Sequence, residues 1–380
     1  MRILFTGGGT AGHVNPALAI AAAMKERYPD AEIAFVASDG ARDKANDLVP
    51  RAGYPLNSVH IRGVASPIFS PSNLKLPYYM IRAKREAAQI VAEFRPDLIV
   101  GTGGYACWPL CRVGIAQRIP TVIHESNAIP GKAILKLAKG ADRVMVNFET
   151  TAEMMRTRTQ PERVIRVGNP MMPGFSRYSR EAARNELGLA ENELYILSFG
   201  GSLGAEYVND AVVNLAASLA NEGDEHVKLL HAAGKRDYTR IRDAWNTVPA
   251  DAQNRIQLTE YIYDMPRQMA AADLVISRAG AMSISELSLL GKAAIFIPSP
   301  YVAAQHQLKN AMALVREGAA RCVEEHTLTT GALEREVRSL LNDPLARLQM
   351  GNTIREKFAV PNANERICEI LAELCKQRLH

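Results

Sequence analysis

His13 closes the run Gly7-Gly8-Gly9-Thr10-Ala11-Gly12-His13, and a second glycine run, Gly200-Gly201-Ser202-Leu203-Gly204-Ala205, stands in the other half of the chain. A histidine ionises near neutral pH, so in that place it can act as a base beside whatever the loop binds. The first run follows the apolar stretch Ile3-Leu4-Phe5 and the second follows Tyr195 to Phe199. Each then opens a segment with helical apolar spacing, Pro16 to Met24 and Tyr207 to Leu219. A strand, a glycine turn and a helix start together expose backbone N–H groups and the positive end of a helix dipole, which suits a phosphate or another anion. Finding the device twice points to two Rossmann-like domains facing a cleft, each holding one ligand.

Two other readings of the first loop stay open. Gly7-x-Gly9-x-x-Gly12 fits the dinucleotide fingerprint, but Asp39, the acid that would take the ribose, lies 27 residues beyond Gly12 rather than about 20. A tight turn without any ligand is the other. More polar clusters follow predicted strands: Gly103-Gly104-Tyr105, His124 to Gly131, Arg278 to Ala281 with Ser285-Glu286 close behind, and His306 to Ala311. In open α/β sheets the carboxyl edge of the strands is where ligands bind, so the accumulation favours a substrate cleft.

The elements that must position these groups read as α/β throughout. Strands are predicted at 2–6, 32–37, 97–101, 119–124 and 142–146, then at 194–199, 227–231, 255–259, 273–277 and 293–298. Near-continuous apolar strands separated by helices imply doubly wound parallel sheets covered on both faces. The stretch Gly168-Asn169-Pro170-Met171-Met172-Pro173-Gly174 breaks the rhythm. It places a first domain at 1–166, a hinge at 167–190, a second domain at 191–360 and a terminal helical segment at 361–380 that could pack back across the hinge.

A chain of 380 residues, 47% hydrophobic, has enough apolar mass for two cores. Its five cysteines (107, 111, 322, 368, 375) form no Cys-x-x-Cys pair and no zinc spacing, the usage of a reducing cytosol. A start directly on a strand leaves no signal peptide, and no run reaches the roughly 18 apolar residues of a membrane span. Residues 1–165 carry 21 Lys and Arg against 14 Asp and Glu, so the net charge of +5 is concentrated in the first half. A basic half suits an anionic surface or a phosphorylated substrate. The modest total, the scarcity of aromatics and the lack of a reader motif count against nucleic acid.

Taken together, GGGTAGH at 7–13, GGY at 103–105, HESNAIPG at 124–131, the GNP turn at 168–170, GGSLGA at 200–205, the stretch from Ile262 to Met265, RAGAMSISE at 278–286 and QHQLKNA at 305–311 resemble the MurG family. These are cell-wall N-acetylglucosaminyltransferases that turn lipid I into lipid II, and the resemblance covers nearly the whole chain. It implies the GT-B architecture, with the acceptor on the N-terminal domain and UDP-N-acetylglucosamine mainly on the C-terminal one. It also implies an inverting transfer that uses no metal and no other cofactor. Thr10, Ala11 and Gly12 then form the loop at the reaction centre, and His13 is the candidate base for the acceptor's 4-hydroxyl. Glu125 supports its loop or serves as an alternative base, and Asn127 fixes the donor sugar. In the second domain Ser202 and its loop amides meet the diphosphate, while Ile262 offers backbone groups to uracil. Ala281, Met282, Ser283, Ile284, Ser285 and Glu286 hold the nucleotide, with Glu286 on the ribose diol. Gln307 bonds sugar hydroxyls through both amide functions. No Asp-x-Asp pair occurs to clamp a metal–diphosphate complex, so the leaving charge falls to N–H groups, dipoles and hydroxyls.

Between 61 and 94, Ile68, Phe69, Leu74, Tyr78, Tyr79 and Ile81 interleave with Arg62, Lys75, Arg82, Lys84 and Arg85. Such a patch can insert shallowly into an anionic leaflet, and the family carries one in this region; an amphipathic helix packed on the sheet is the alternative. The expected partners are therefore UDP-N-acetylglucosamine, lipid I and the anionic cytoplasmic leaflet, at the inner face of a bacterial membrane. The chain departs from the family pattern at Ser126 and Leu203, where glutamine is usual, across residues 39–47, and at Met172, which stands where an arginine is expected on the donor diphosphate. Arg278, Arg166 or Lys235 could supply the missing charge. These departures leave room for another nucleotide sugar or acceptor, and a UDP-sugar epimerase on the same scaffold is a further rival.

Overall fold

The computed structural model describes residues 1–41, 43–63, 74–171, 174–175, 177–201, 204–221 and 225–379. The chain divides into two compact units, Met1–Met171 with Val360–His380, and Met172–Ala359.

The first unit runs β1 (Arg2–Thr6), α1 (Ala11–Arg27), β2 (Glu32–Ser38), α2 (Ala45–Arg51), β3 (Leu56–Val59), α3 (Leu76–Phe94), β4 (Leu98–Gly101), α4 (Cys107–Ala116), β5 (Thr121–Glu125), α5 (Lys132–Leu137), β6 (Arg143–Val146), α6 (Glu149–Arg156) and β7 (Val164–Arg166). Its strands are all parallel in the order β3-β2-β1-β4-β5-β6-β7. Side chains alternate between two cores, as a strand period of two requires. Leu4, Val36, Ile99 and Ile123 pack against Ala83, Ala87 and Val91 of α3 and Leu110 of α4. Ile3, Phe5, Phe35 and Val100 pack on the other face against Val14, Ile20 and Met24 of α1.

The second unit runs α7 (Arg180–Glu186), β8 (Leu194–Phe199), α8 (Glu206–Asn221), β9 (Val227–Ala232), α9 (Tyr238–Trp245), β10 (Ile256–Thr259), α10 (Met265–Ala271), β11 (Leu274–Ser277), α11 (Ala281–Leu290), β12 (Ala293–Phe296), α12 (His306–Val315), β13 (Arg321–Cys322), α13 (Ala332–Leu341) and α14 (Pro344–Phe358). Its strands are parallel in the order β10-β9-β8-β11-β12-β13. The terminal helix α15 (Ala363–Leu379) belongs to the first unit. Ile367, Cys368, Leu371 and Cys375 lie buried in the core beneath α1.

The strand orders fix where ligands can go. In each sheet the order in which strands are added reverses between two neighbouring parallel strands, β1 and β4 in one and β8 and β11 in the other. Loops leaving such a pair diverge to opposite faces and open a crevice at the carboxyl edge. The glycine runs after β1 and β8 stand at these two points.

Three strands escape the sequence reading, namely β3, β7 and β13, all at sheet edges. β3 is Leu56-Asn57-Ser58-Val59, with no apolar run, and β13 has two residues. An edge strand buries less surface and so leaves a weaker pattern. Helix α1 begins five residues before the apolar spacing does, because Ala11 and Gly12 at its start are exposed. Helix α7 lies inside the stretch read as hinge. Ser179 caps it by accepting from the Ala182 N–H (3.1 Å). Its buried Arg184 pairs with Asp273 (2.9 Å) and donates to the carbonyls of Ala190 and Glu193.

Candidate active site

In the first unit the glycine loop is held by a carboxylate that the sequence reading passed over. Buried Asp43 accepts from the N–H groups of Gly9 (2.8 Å), Ser38 (3.2 Å) and Ala45 (3.0 Å). Asp43 thus braces the loop; an acid three residues past Gly40 was the available signal. Thr102, at the end of β4, donates its hydroxyl to the His13 carbonyl (2.6 Å) and fixes the first turn of α1 from the other side. Thr10, Ala11 and Gly12 are exposed above this frame.

His13 turns its ring onto Gly103. A Cβ there would lie 2.8 Å from the His13 Nδ1, and its φ of +101° also disfavours any side chain. Nδ1 is buried without a well-formed hydrogen bond. Burial lowers the pKa of the ring, against the opposing pull of the Thr102 backbone and the Asp43 charge. Imidazole is consequently neutral at pH 7, the form that can accept a proton.

Glu125 has a different posture. One carboxylate oxygen accepts from the Asn127 N–H and side-chain amide (both 3.0 Å), and the other accepts from the Gly131 N–H (2.8 Å). That is the geometry of a loop brace, with Asn127 half-buried on the loop it shapes. His124 behind it is fully buried, bonded through Nε2 to the Gly168 carbonyl (2.9 Å), and burial pushes its pKa down to about 4.

In the second unit the nucleotide candidates gather on two elements. Ala281 to Glu286 occupy the first turns of α11, with Gly280 preceding them. The Ser285 hydroxyl is turned back onto the Ala281 carbonyl (3.1 Å), whereas the Met282 and Ser283 N–H groups have no acceptor among the described residues. Buried Ile284 anchors this turn in the core. Half-buried Glu286 makes no hydrogen bond or ion pair among the described residues, and burial pushes its pKa up to about 7. Ile262 buries its side chain, while neither its N–H nor its C=O has a backbone partner among the described residues. It lines a cavity of about 590 Å³ together with Tyr261, Tyr263 and Gln268.

Gln307, on the first turn of α12, already uses its carbonyl oxygen to accept the Ser299 N–H (2.8 Å). The NH₂ group keeps both of its donors, and the carbonyl oxygen one further lone pair. Ser202 lies outside the described residues, as do Met172, Ile68 and Phe69. Of the proposed substitutes for the missing arginine, Arg278 pairs with Glu325 and donates to the Ile297 carbonyl (3.1 Å). Arg166 donates to the Asn147 carbonyl (3.1 Å).

The described part of the basic-apolar patch is helix α3. It buries Ala83, Ala87 and Val91 and leaves Tyr78, Ile81, Lys84 and Arg85 outward, with Leu74 and Lys75 exposed just before it. The packed amphipathic helix is therefore observed, and the apolar and basic residues named for the membrane lie on its outward face. Arg82 is drawn to Glu86 (2.8 Å), and Tyr79 sits under the Arg62 guanidinium, so neither is as free as the sequence suggests. No helix among the described residues is long and apolar enough to cross a membrane.

Residues 3–146 match the glycosyltransferase family 28 N-terminal domain, and residues 195–367 match the glycosyltransferase family 28 C-terminal domain. The UDP-N-acetylglucosamine--N-acetylmuramyl-(pentapeptide) pyrophosphoryl-undecaprenol N-acetylglucosamine transferase of Acetivibrio thermocellus is 37% identical over 378 residues, covering 100% of this chain and 99% of its own. The chain belongs to the MurG family. The transferase of the same name from an Exiguobacterium species is 36% identical over 98% of this chain and 99% of its own. The crystal structure of Acinetobacter baumannii MurG covers 98% of this chain and 99% of that one, with a TM-score of 0.77 at 26% identity. The resemblance drawn from the motifs and the reading of two Rossmann-like parallel-sheet domains are both borne out. The two units are the paired domains of a GT-B glycosyltransferase.

Proposed function

We propose that this protein transfers N-acetylglucosamine from UDP-N-acetylglucosamine to the 4-hydroxyl of the muramoyl sugar of lipid I, with inversion, giving lipid II and UDP. The observation that carries the reading is the pairing of a whole-length match to a transferase of that name with a desolvated carboxylate on α11 that has no partner among the described residues. The match favours transfer over the epimerase and other-sugar readings.

The work divides between the units. In the Met172–Ala359 unit, the Ile262 backbone takes the uracil edge and Glu286 accepts from the ribose diol. The first-turn N–H groups of α11 and the glycine loop with Ser202 face the diphosphate, and the Gln307 amide donates to a sugar hydroxyl. In the first unit, Thr10 to Gly12 and Asn127 attend the transferred sugar, and Glu125 holds that loop in place. His13 takes the proton of the attacking hydroxyl as its oxygen bonds the anomeric carbon. The bond from that carbon to the diphosphate oxygen breaks, its electron pair leaves on UDP, and water later receives the proton from His13. The outward face of α3, with Leu74 and Lys75, rests on an anionic leaflet at the cytoplasmic side of the membrane, where the lipid acceptor lies.

A UDP-release assay with a lipid I analogue and a panel of nucleotide sugars tests this. UDP-N-acetylglucosamine is expected to support turnover best, without added magnesium, and His13→Ala should lower turnover about 100-fold or more while retaining donor binding. Preference for another sugar, a requirement for magnesium, or near-normal turnover in the variant would overturn the reading.

A further inference from the structure

A diphosphate leaving group concentrates negative charge, and the chain's own sequence puts an uncharged methionine where a cation is expected. Arg278 and Arg166 are spent on internal partners. Other cations of the second unit are spent as well: Arg240 on Asp237 and Asp210, Arg267 on Asp264 and Glu186, and Lys292 on the carbonyls of Ala270 and Ala272. The side chains of Lys235 and Lys309 have neither a salt bridge nor a hydrogen bond among the described residues; Lys235 is exposed, and its loop adjoins the glycine run after β8.

The loop that carries Lys235, Ala233 to Asp237, is fastened beside the glycine run after β8. Gly204 packs so closely on the Ala233 carbonyl that a Cβ at that glycine would lie 2.1 Å from it. Asn209, in the first turn of α8, donates one amide both to the Ala233 carbonyl (3.0 Å) and to the Asp237 carboxylate (2.7 Å), gripping the loop at its two ends. Asn209 is itself held by buried His231 (3.1 Å), whose other ring nitrogen meets the Ser198 hydroxyl (3.1 Å). A chain of buried hydrogen bonds therefore fixes the loop that carries Lys235 at the carboxyl edge, against Gly204 of the glycine run. The adjacent Arg236 is also exposed, and its charge acts on the carboxylate of Asp237.

We propose that Lys235 is the cation that binds the diphosphate of the donor and stabilises it as it leaves. The assignment rests on the UDP-sugar reading above and names the residue that completes its electrostatics. Lys235→Gln, Lys235→Arg and Arg236→Gln are titrated in the full-length protein with UDP and with uridine, which lacks the phosphates. Lys235→Gln should weaken UDP binding at least about tenfold, leave uridine unchanged and flatten the dependence of UDP affinity on salt, while Lys235→Arg and Arg236→Gln stay near wild type. UDP affinity within twofold of wild type in Lys235→Gln, an equal loss for uridine, or an equal loss in Arg236→Gln would each overturn the assignment. Failure of the unaltered protein to bind UDP would instead sink the donor reading itself.

Discussion

Replacing Glu286 by glutamine isolates one carboxylate that the fold desolvates and that has no partner among the described residues. Burial moves its pKa from 4.5 to about 7, which at 1.36 kcal/mol per pH unit makes the ionised form cost the ligand-free protein about 3 kcal/mol. The sign follows from linkage. Below pH 4.5 the group is protonated both folded and unfolded and costs nothing; the cost grows between 4.5 and 7 and is complete above 7. Glu286→Gln should therefore stabilise the free protein at pH 8, by up to about 3 kcal/mol, and change little at pH 4.5. A ribose diol donates hydrogen bonds that favour the carboxylate, so donor binding should pull the pKa back down and release a proton. At pH 6.5, with a pKa of about 7, roughly three-quarters of a proton should leave per donor bound. Titration calorimetry in buffers of different ionisation enthalpy reads that number directly. UDP-N-acetylglucosamine is the ligand to use, because its phosphates are diesters that do not titrate in this range. No net release by the wild type, or the same release by Glu286→Gln, would refute the reasoning.

Two further outcomes follow from the first unit. Asp43→Ala leaves the N–H groups of Gly9, Ser38 and Ala45 without their acceptor, so urea unfolding should show a loss of about 3 kcal/mol or more; an unchanged midpoint would mean the loop needs no brace. Ile81→Ser combined with Arg85→Glu removes one exposed apolar group and reverses one exposed charge on α3. It should weaken binding to anionic vesicles about tenfold or more, and undiminished vesicle binding would move the membrane contact elsewhere.

The carboxyl-edge clusters were legible because they are local. Glycine, histidine and acid runs directly after apolar strands announce themselves within ten residues, and the alternation of strand and helix does the same for the parallel sheets. The residues that hold those clusters in shape were not legible, because their partners are distant in sequence. Asp43 reaches Gly9 across 34 positions, and Thr102 reaches the His13 carbonyl across 89. Helix α3 shows both limits at once. Its composition revealed an apolar and basic stretch, yet only packing separated buried Ala83 and Ala87 from outward Ile81 and Arg85.

Sequence by itself determined the α/β class, the two glycine loops, the family and the identity of the groups able to do chemistry, since each depends on residue type and short-range period. Tertiary structure decided which of those groups are free to act. Arg278 is consumed by Glu325, a neighbour that folding brings to it, while the side chains of Glu286 and Lys235 have no partner among the described residues. Availability for a ligand is a property of the space around a side chain, and that space is assembled from segments remote along the chain.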